Sequence, residues 1–281
     1  MPFHLDHVDT VILAGGINRI PLYEGYTPDY KALIEFREKP SICYVLDALR
    51  AAPCTGRICI AGPEASLRQK IAAHDKASYD FVPSGETLMD SIYSGLSHFA
   101  DSPMVLLVTA DIPLITPRAI TDFLIASAAV ETSYEHNLLL AVTPERSFTG
   151  AYAHIPKGFN RFRDVAICHG SLMLADPRLL QNTKATRRIN SLYRNRKNPI
   201  SSALAIGLHV GLTYVLGVHL WHLLTLEQMA SIASRRFGLG LLPIVLDHPE
   251  VTIDVDEPED YAFAAAQLGM QTTPVLQEAS S

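Results

Sequence analysis

The alternation of short apolar runs with segments of helical periodicity most constrains how this chain can fold. Apolar runs of strand length lie at residues 10–13, 57–61, 104–109 and 137–142. Helix candidates lie at residues 40–52, 64–74, 87–99 and 117–130. This alternation predicts βαβ units, in which helices cover both faces of a mostly parallel, twisted sheet. The predicted fold is therefore an α/β, three-layer αβα sandwich.

The second half of the chain is less regular. Residues 150–174 have the pattern of loops and strands, a helix is expected over 225–237, and a last strand near 241–246. No internal repeat and no Gly/Ser-rich linker divides the sequence. We therefore expect a single domain with two lobes over residues 1–267, followed by a flexible tail at 268–281.

Composition limits the class of function. Of the 281 residues, 48% are hydrophobic and 19% are charged, which is typical of a globular protein. The net charge of −6 argues against nucleic acid as a partner, because nucleic-acid binding normally leaves a basic footprint. Four cysteines without a CxxC pair, and an N-terminus unlike a signal peptide, predict reduced thiols in a cytoplasmic protein.

Two neighbouring segments depart from this composition. Residues 203–224 carry no Lys, Arg, Asp or Glu over a length that could span a bilayer, but three histidines and three glycines weaken that interpretation. A buried helix is favoured there, a membrane-surface helix is the second alternative, and a spanning helix is the least favoured. Residues 184–197 hold six basic residues and no acidic one. They form either a solvated face or a site for an acceptor phosphate or an anionic membrane surface.

The first strand candidate ends in two glycines and an arginine follows, in the sequence VILAGGINRI at residues 11–20. In an open parallel sheet, ligands bind beyond the carboxyl ends of the strands. Glycine lets backbone N–H groups approach an anion without a Cβ in the way. Gly15 and Gly16 therefore predict either a phosphate-binding loop, with Arg19 and Lys31 to neutralise a triphosphate, or a tight turn. Neither a GxGxxG nor a Walker A pattern is present.

Aspartates follow two further apolar stretches. Asp111 comes at the end of the strand candidate in VLLVTADIPL. A carboxylate there is well placed to hold a divalent cation; the alternative is a structural role in the loop or at a helix N-cap. The sequence VTIDVDEPED at residues 251–260 holds five carboxylates. Asp254 and Asp256 alternate along an extended segment, so we expect only one of them to face a site. The later acidic residues suit the first turn of a helix that Pro258 opens.

In their order and spacing, these motifs resemble those of the MobA-like nucleotidyltransferases. The matching sequences are LAGG, KAL, KPSICYVLDALR, TADIPL and DVDEPED, and the resemblance covers residues 8–130 and 250–265. It implies the nucleotide-diphospho-sugar transferase-like fold, which this group shares with sugar-phosphate nucleotidyltransferases and 4-diphosphocytidyl-methylerythritol synthase. It also implies a nucleotide-binding half at residues 8–130 and an acceptor-binding half at residues 131–265.

The resemblance implies roles for residues around the nucleotide phosphates. The residues expected to wrap the nucleotide are Leu13, Ala14, Gly15, Gly16 and Asn18. Arg19 and Lys31 would bind the phosphates and, with Asp111, form the catalytic set. Asp111 and Asp256 would hold Mg²⁺, or Mn²⁺, as the cofactor. The loop after Arg19 is longer than in the resembling proteins, which leaves the phosphate role of Arg19 open.

The resemblance also implies sites for the base and the acceptor. The sequence SGETLMDS, at residues 84–91, resembles the base-reading segment of the cytidylyl-transferring branch. The residues expected at the base are Gly85, Glu86 and Ser91. The residues expected at the acceptor are His169, Gly170 and Ser171. Because LAGG resembles the guanylyl-transferring branch instead, CTP is only slightly favoured over GTP.

The implied activity is transfer of an NMP group from an NTP to a phosphorylated small-molecule or lipid-linked acceptor, with release of pyrophosphate. Such a reaction depends on positioning and charge neutralisation. A glycosyltransferase of the same fold and a non-catalytic nucleotide-binding regulatory protein are the alternatives. The glycine loop with Lys31 suits a free triphosphate, and the central strand lacks a DxD triplet, which favours nucleotidyl transfer. The oligomeric state stays open.

Overall fold

A computed structural model of the chain describes residues 7–183, 186–188 and 223–270. The basic segment at 184–197, apart from residues 186–188, and the apolar segment at 203–224, apart from its last two residues, lie outside these ranges. The tail beyond residue 270 does too. No helix within the described ranges is long and apolar enough to cross a membrane. The expectations for those segments therefore stay predictions.

The described elements follow the predicted alternation. The strands of the main sheet are β1 (Val8–Leu13), β4 (Thr55–Ala61), β5 (Asp80–Val82), β6 (Val105–Thr109), β7 (Asn137–Pro144), β8 (Asn160–Arg161), β9 (Ala166–Ala175) and β10 (Gly240–Val245). A small hairpin consists of β2 (Glu35–Phe36) and β3 (Lys39–Pro40). The helices are α1 (Ser41–Ala51), α2 (Glu64–Ala72), α3 (Leu88–His98), α4 (Pro117–Ala128), α5 (Leu226–Phe237) and α6 (Pro258–Gln267).

Within the described residues, the main sheet has eight strands in the order β10-β7-β9-β6-β1-β4-β5, with β8 paired to β9. The neighbours β6, β1, β4 and β5 are parallel, as are β7 and β10. Strand β9 runs antiparallel to both β6 and β7 and joins the two parallel groups. The prediction of a mostly parallel α/β sheet is confirmed.

Burial on both faces of the sheet explains the continuous apolar runs. All six residues of β1 are buried, as expected for a parallel strand covered on both sides. Ile12 packs with residues of α1, α2 and α4 on one face, whereas Val11 packs with residues of α3 on the other. Gly95 lets α3 approach closely, because a Cβ there would lie 2.4 Å from Cγ1 of Val11. The predicted three-layer arrangement is therefore confirmed.

The start of α1 differs from the prediction by one residue. The sequence placed Pro40 in the first turn of the helix, but Pro40 pairs with Glu35 in the hairpin and the helix begins at Ser41. The Ser41 N–H donates to the carbonyl of Ile34, and its hydroxyl donates to the carbonyl of Ala110 at 2.8 Å. These two hydrogen bonds connect the first residue of α1 to the segment before the hairpin and to the loop that carries Asp111.

Candidate active site

The glycine loop and Asp111 leave the sheet side by side at its carboxyl edge. Strands β1 and β6 are parallel neighbours with Leu13 opposite Thr109, so the segments that follow them emerge together. The Ala110 N–H donates to the carbonyl of Leu13 at 3.1 Å. This is the edge where ligands bind in open α/β sheets.

The two glycines meet different surroundings. A Cβ on Gly15 would lie 2.3 Å from the Cβ of Ser84, a distance that no side chain tolerates. A Cβ on Gly16 would meet only Cδ of Lys31, at an ordinary 3.6 Å. Gly15 is therefore required so that the loop can pack against the segment before α3.

Backbone pairing folds the next segment back over the glycines. Ile17 pairs with Tyr30 in an isolated antiparallel bridge, and the Lys31 N–H donates to the Gly16 carbonyl at 2.8 Å. The buried Asn18 accepts a hydrogen bond from the Ile20 N–H at 2.7 Å. Its side-chain amide donates to the carbonyl of Asp256 at 3.4 Å. The loop is thus fixed to the acidic segment near the C-terminus.

Lys31 joins the two carboxylates that the sequence proposed as metal ligands. Its ammonium lies 3.3 Å from Oδ2 of Asp111 and donates a hydrogen bond to Oδ1 of Asp256. The Val255 N–H donates to the Asp111 carbonyl at 3.0 Å, which aligns the two segments. Burial alone would lower the pKa of Lys31, but the charges of Asp111 and Asp256 raise it above its usual value. Burial raises the pKa of the Asp111 carboxyl.

The structure provides a free acceptor at this point. Oδ1 of Asp111 is buried and has no hydrogen-bond partner in the described part of the chain. Among the same residues, no group of three or more His, Cys, Asp or Glu side chains is arranged to hold a metal ion. Mg²⁺ is commonly held by one or two carboxylates, with phosphate oxygens and water as the other ligands. Asp111 and Asp256 therefore fit such a role only together with a bound phosphate.

Gly85 and Ser91, expected at the base, lie behind the glycine loop. Gly85 has a φ of 64°, and a Cβ there would lie 2.3 Å from the Cβ of Asp90. The buried Ser91 donates its hydroxyl to the carbonyl of Ser84 at 2.5 Å, and so supports the surface against which Gly15 packs. Glu86 is exposed. The proposed contacts of these residues with a base stay predictions.

The remaining expected residues form no hydrogen bond or ion pair with Lys31 within the described part of the chain. Arg19 is exposed, and its guanidinium forms no hydrogen bond or ion pair with another residue in the described ranges. His169 is exposed on β9, although the surrounding protein displaces enough water to lower the pKa of its imidazole. A Cβ on Gly170 would lie 2.9 Å from Cγ2 of Val251, so this glycine packs against the turn before the acidic segment. Ser171 follows on the same strand and is partly buried.

Comparison with known families decides the class of this site. A family model described as the MobA-like NTP transferase domain matches residues 10–194. The chain belongs to this family. The resemblance predicted from the motifs is confirmed, and the protein is an enzyme of the nucleotidyltransferase class, which transfers NMP groups from NTPs.

Solved structures agree with the fold of this MobA-like domain. A hypothetical transferase from Thermus thermophilus is 26% identical, with a TM-score of 0.72, and the match covers 90% of this chain and 99% of that one. The 4-diphosphocytidyl-2C-methyl-D-erythritol synthase of Anaerococcus prevotii is 13% identical, with a TM-score of 0.53 and coverages of 94% and 97%. A CMP:2-keto-3-deoxy-manno-octonic acid synthetase complexed with CTP is 12% identical, with a TM-score of 0.56 and coverages of 94% and 98%. No curated protein matched the chain.

One charged residue of this MobA-like site was missed by the sequence reasoning. Lys157 donates a hydrogen bond to Oδ1 of Asp254 at 3.0 Å, whereas Asp256 contacts Lys31. The alternation of the two aspartates therefore sends them to different lysines, as the extended spacing suggested. The sequence around Lys157 does not indicate its role, because Lys157 is a lone lysine between Pro156 and Gly158 and its partners lie about 100 residues away.

Proposed function

We propose that this nucleotidyltransferase uses Mg²⁺, or Mn²⁺, to move an NMP group to a phosphorylated small-molecule or lipid-linked acceptor. CTP is the preferred donor and GTP is the alternative. The observation that carries the proposal is Lys31 between Asp111 and Asp256, beside the glycine loop at the carboxyl edge of the sheet. This arrangement combines a cation for phosphate oxygens with two carboxylates for a metal ion.

The donor set suits a hard divalent cation. Asp111 and Asp256 would hold Mg²⁺, because carboxylate oxygens are its preferred protein ligands and Oδ1 of Asp111 is buried without a partner. When bound, Mg²⁺ would neutralise phosphate charge and orient the α-phosphate. The Lys31 ammonium offsets part of the charge of the two carboxylates in the free enzyme and would stabilise phosphate charge when a nucleotide enters.

The reaction proposed is an in-line displacement. An oxyanion of the acceptor forms a bond to the α-phosphorus, the bond from that phosphorus to the oxygen bridging to the β-phosphate breaks, and pyrophosphate leaves. A phosphorylated acceptor is already ionised, so no general base is required. Lys31 and the backbone of the Gly15–Gly16 loop would stabilise the charge that develops on pyrophosphate. Arg19 would add to this charge neutralisation.

The preference for CTP has support from residues and from relatives. The segment SGETLMDS packs directly behind the glycine loop, through the close approach of Ser84 to Gly15. We propose that Gly85, Glu86 and Ser91 lie at the base. Two of the structures that share this fold are named for a diphosphocytidyl compound and for a complex with CTP. The LAGG sequence is the reason to keep GTP as the alternative.

The acceptor site is proposed on β9. His169, Gly170 and Ser171 lie on this strand, which joins the nucleotide-binding half to the second half of the sheet. A largely neutral His169 at this point would donate or accept a hydrogen bond rather than attract a phosphate by charge. The basic segment at 184–197 is the second proposed source of acceptor contacts, including an anionic membrane surface. A cytoplasmic location is proposed because the four cysteines are free and form no CxxC pair.

Nucleotide-dependent thermal stabilisation tests the proposal. The wild type, Asp111→Asn and the control Asp47→Asn are melted with CTP, GTP, UTP or ATP, each with Mg²⁺ or with EDTA. Asp47 is an exposed carboxylate of α1 that pairs with Lys39 of β3. Its replacement removes one negative charge, as Asp111→Asn does, but outside the candidate site. At a nucleotide concentration about 100 times Kd, binding contributes roughly 2.7 kcal/mol to the free energy of unfolding.

The expected result is a rise in Tm with Mg²⁺ and CTP for the wild type and Asp47→Asn only. EDTA should remove the rise. If no nucleotide changes the Tm of the wild type, or if Asp111→Asn keeps the full effect, the proposed metal-assisted nucleotide site is wrong. A larger rise with GTP would keep the site and replace the proposed base.

A further inference from the structure

Lys157 is a largely buried cation that the proposed reaction does not use. It lies in the loop between a 3-10 turn (Gly150–His154) and β8, and only 13% of its side chain is exposed. Lysine is almost never buried to this degree unless it is paired. Its ammonium donates to Oδ1 of Asp254 at 3.0 Å and lies 3.6 Å from Oδ1 of Asp260.

The two partners of Lys157 flank Asp256 in the sequence. Asp254 lies two residues before it, and Asp260 lies in the first turn of α6. Oδ2 of Asp260 accepts hydrogen bonds from the N–H groups of Asp256 at 3.3 Å and Glu257 at 3.1 Å. One carboxylate of Asp260 therefore contacts Lys157 through one oxygen and the backbone of Asp256 through the other.

Further contacts fix the rest of this short segment. Val255 is fully buried, and its N–H donates to the Asp111 carbonyl at 3.0 Å. The Asp256 carbonyl accepts from the Asn18 side chain at 3.4 Å. The backbone around Asp256 is thus held toward Asp111 and the glycine loop, whereas Lys157 holds the side chains on either side.

We propose that Lys157 is a positioning residue that acts through Asp254 and Asp260 to keep Asp256 beside Lys31 and Asp111. The inference rests on the proposed function, because it assigns Asp256 to the metal and nucleotide site. Lys157 also separates the charge of Asp254 from the pair formed by Asp256 and Asp111. Without this cation, repulsion among the carboxylates would favour movement of the acidic segment away from the sheet edge.

A purely structural role makes a different expectation. Removing one partner of an ion pair leaves the other charge uncompensated, so a purely structural role predicts that Lys157→Met lowers the Tm without a specific effect on cation affinity. Outer contacts of metal ligands, by contrast, affect metal affinity by roughly 10- to 100-fold. Cation affinity and thermal stability therefore separate the two roles.

The experiment measures Mn²⁺ affinity by electron paramagnetic resonance in the presence of CTP, together with the Tm of the unliganded protein. The variants are Lys157→Met, Lys157→Arg and Asp254→Asn. The control is Lys70→Met, because Lys70 forms an exposed ion pair with Glu35 at 3.1 Å away from the site. We expect Lys157→Met to weaken Mn²⁺ binding about tenfold. Asp254→Asn should shift the affinity in the same direction, Lys157→Arg should restore most of it, and Lys70→Met should leave it unchanged.

Each failure has a distinct signature. Absence of Mn²⁺ binding by the wild type with CTP would overturn the proposed function and, with it, this role. Normal binding by both the wild type and Lys157→Met would overturn the positioning role alone. If Lys157→Met lowers the unliganded Tm so far that unfolding explains the lost Mn²⁺ binding, and Lys157→Arg does not restore the Tm, then Lys157 has a structural role only.

Discussion

Gly15→Ala should damage the glycine loop, whereas Gly16→Ala should not. The new Cβ at position 15 would lie 2.3 Å from the Cβ of Ser84 and 2.8 Å from its Oγ. Ser84 cannot move away freely, because its carbonyl accepts the hydroxyl of the buried Ser91. Overpacking of this kind costs about 1–3 kcal/mol. At roughly 2–4 °C per kcal/mol for a chain of this size class, Tm should fall by several degrees.

Gly16→Ala provides a matched control in the adjacent residue. Its Cβ would lie 3.6 Å from Cδ of Lys31, which is ordinary contact. The free energy of unfolding should therefore stay within about 1 kcal/mol of the wild-type value, and the Tm should change little or rise slightly. Differential scanning fluorimetry gives the two Tm values, and titration with CTP and Mg²⁺ gives the effect on binding. The double variant Gly15→Ala with Ser84→Gly removes the opposing Cβ and should recover most of the loss.

The reasoning is refuted if Gly15→Ala and Gly16→Ala have the same Tm and the same CTP affinity. Failure of Ser84→Gly to relieve Gly15→Ala would also contradict it, because the clash would then lie elsewhere. If Gly15→Ala keeps CTP affinity but loses stability, the glycine serves only the packing of the turn. Loss of both properties is the expected outcome for a phosphate-binding loop.

Acid and thiol chemistry provide two further predictions. Burial raises the pKa of Asp9, but hydrogen bonds from Arg57 and Ser102 outweigh it and hold the pKa below the ordinary value of about 3.9. The ionised Asp9 carboxylate therefore stabilises the fold above about pH 4, and this contribution is lost as the pH falls through the folded-state pKa. Urea midpoints measured between pH 6 and pH 2 should fall more steeply for the wild type than for Asp9→Asn. Equal slopes would contradict this. Burial also raises the pKa of Cys43 to about 11 and of Cys59 to about 12. Neither thiol should therefore react with DTNB at pH 8 before the protein unfolds, and prompt labelling of either would contradict this expectation.

Local sequence signals predicted much of the sheet and its mostly parallel character, but not the order of the strands or the antiparallel strand β9. The apolar runs that became β1 and β6 are continuous because these strands are buried over almost their whole length. Strand β9 is interrupted by His169, Gly170 and Ser171, and its antiparallel pairing depends on contacts with β6 and β7 that no local pattern encodes. Strand β5 has only three residues, too few for a periodic signal.

The candidate site, too, was predicted only in part from the sequence. Gly15, Lys31 and Asp111 lie in motifs whose order was sufficient to indicate a nucleotidyltransferase, and the structure brings Lys31 and Asp111 together. Sequence could not show that Asp254 turns to Lys157, since that pairing joins a loop and a segment 97 residues apart. It also could not show that Ser91 bonds the backbone before α3 instead of standing free.

The charges around Lys31 support the proposal that a nucleotide binds together with a cation. Asp111 and Asp256 surround Lys31, while Asp254 and Asp260 surround Lys157, which leaves a formal excess of two negative charges. A free triphosphate approaching this group would meet net repulsion despite the lysines. A divalent cation held by Asp111 and Asp256 would cancel the excess negative charge. The net charge of this group therefore favours a metal–nucleotide complex over the nucleotide alone.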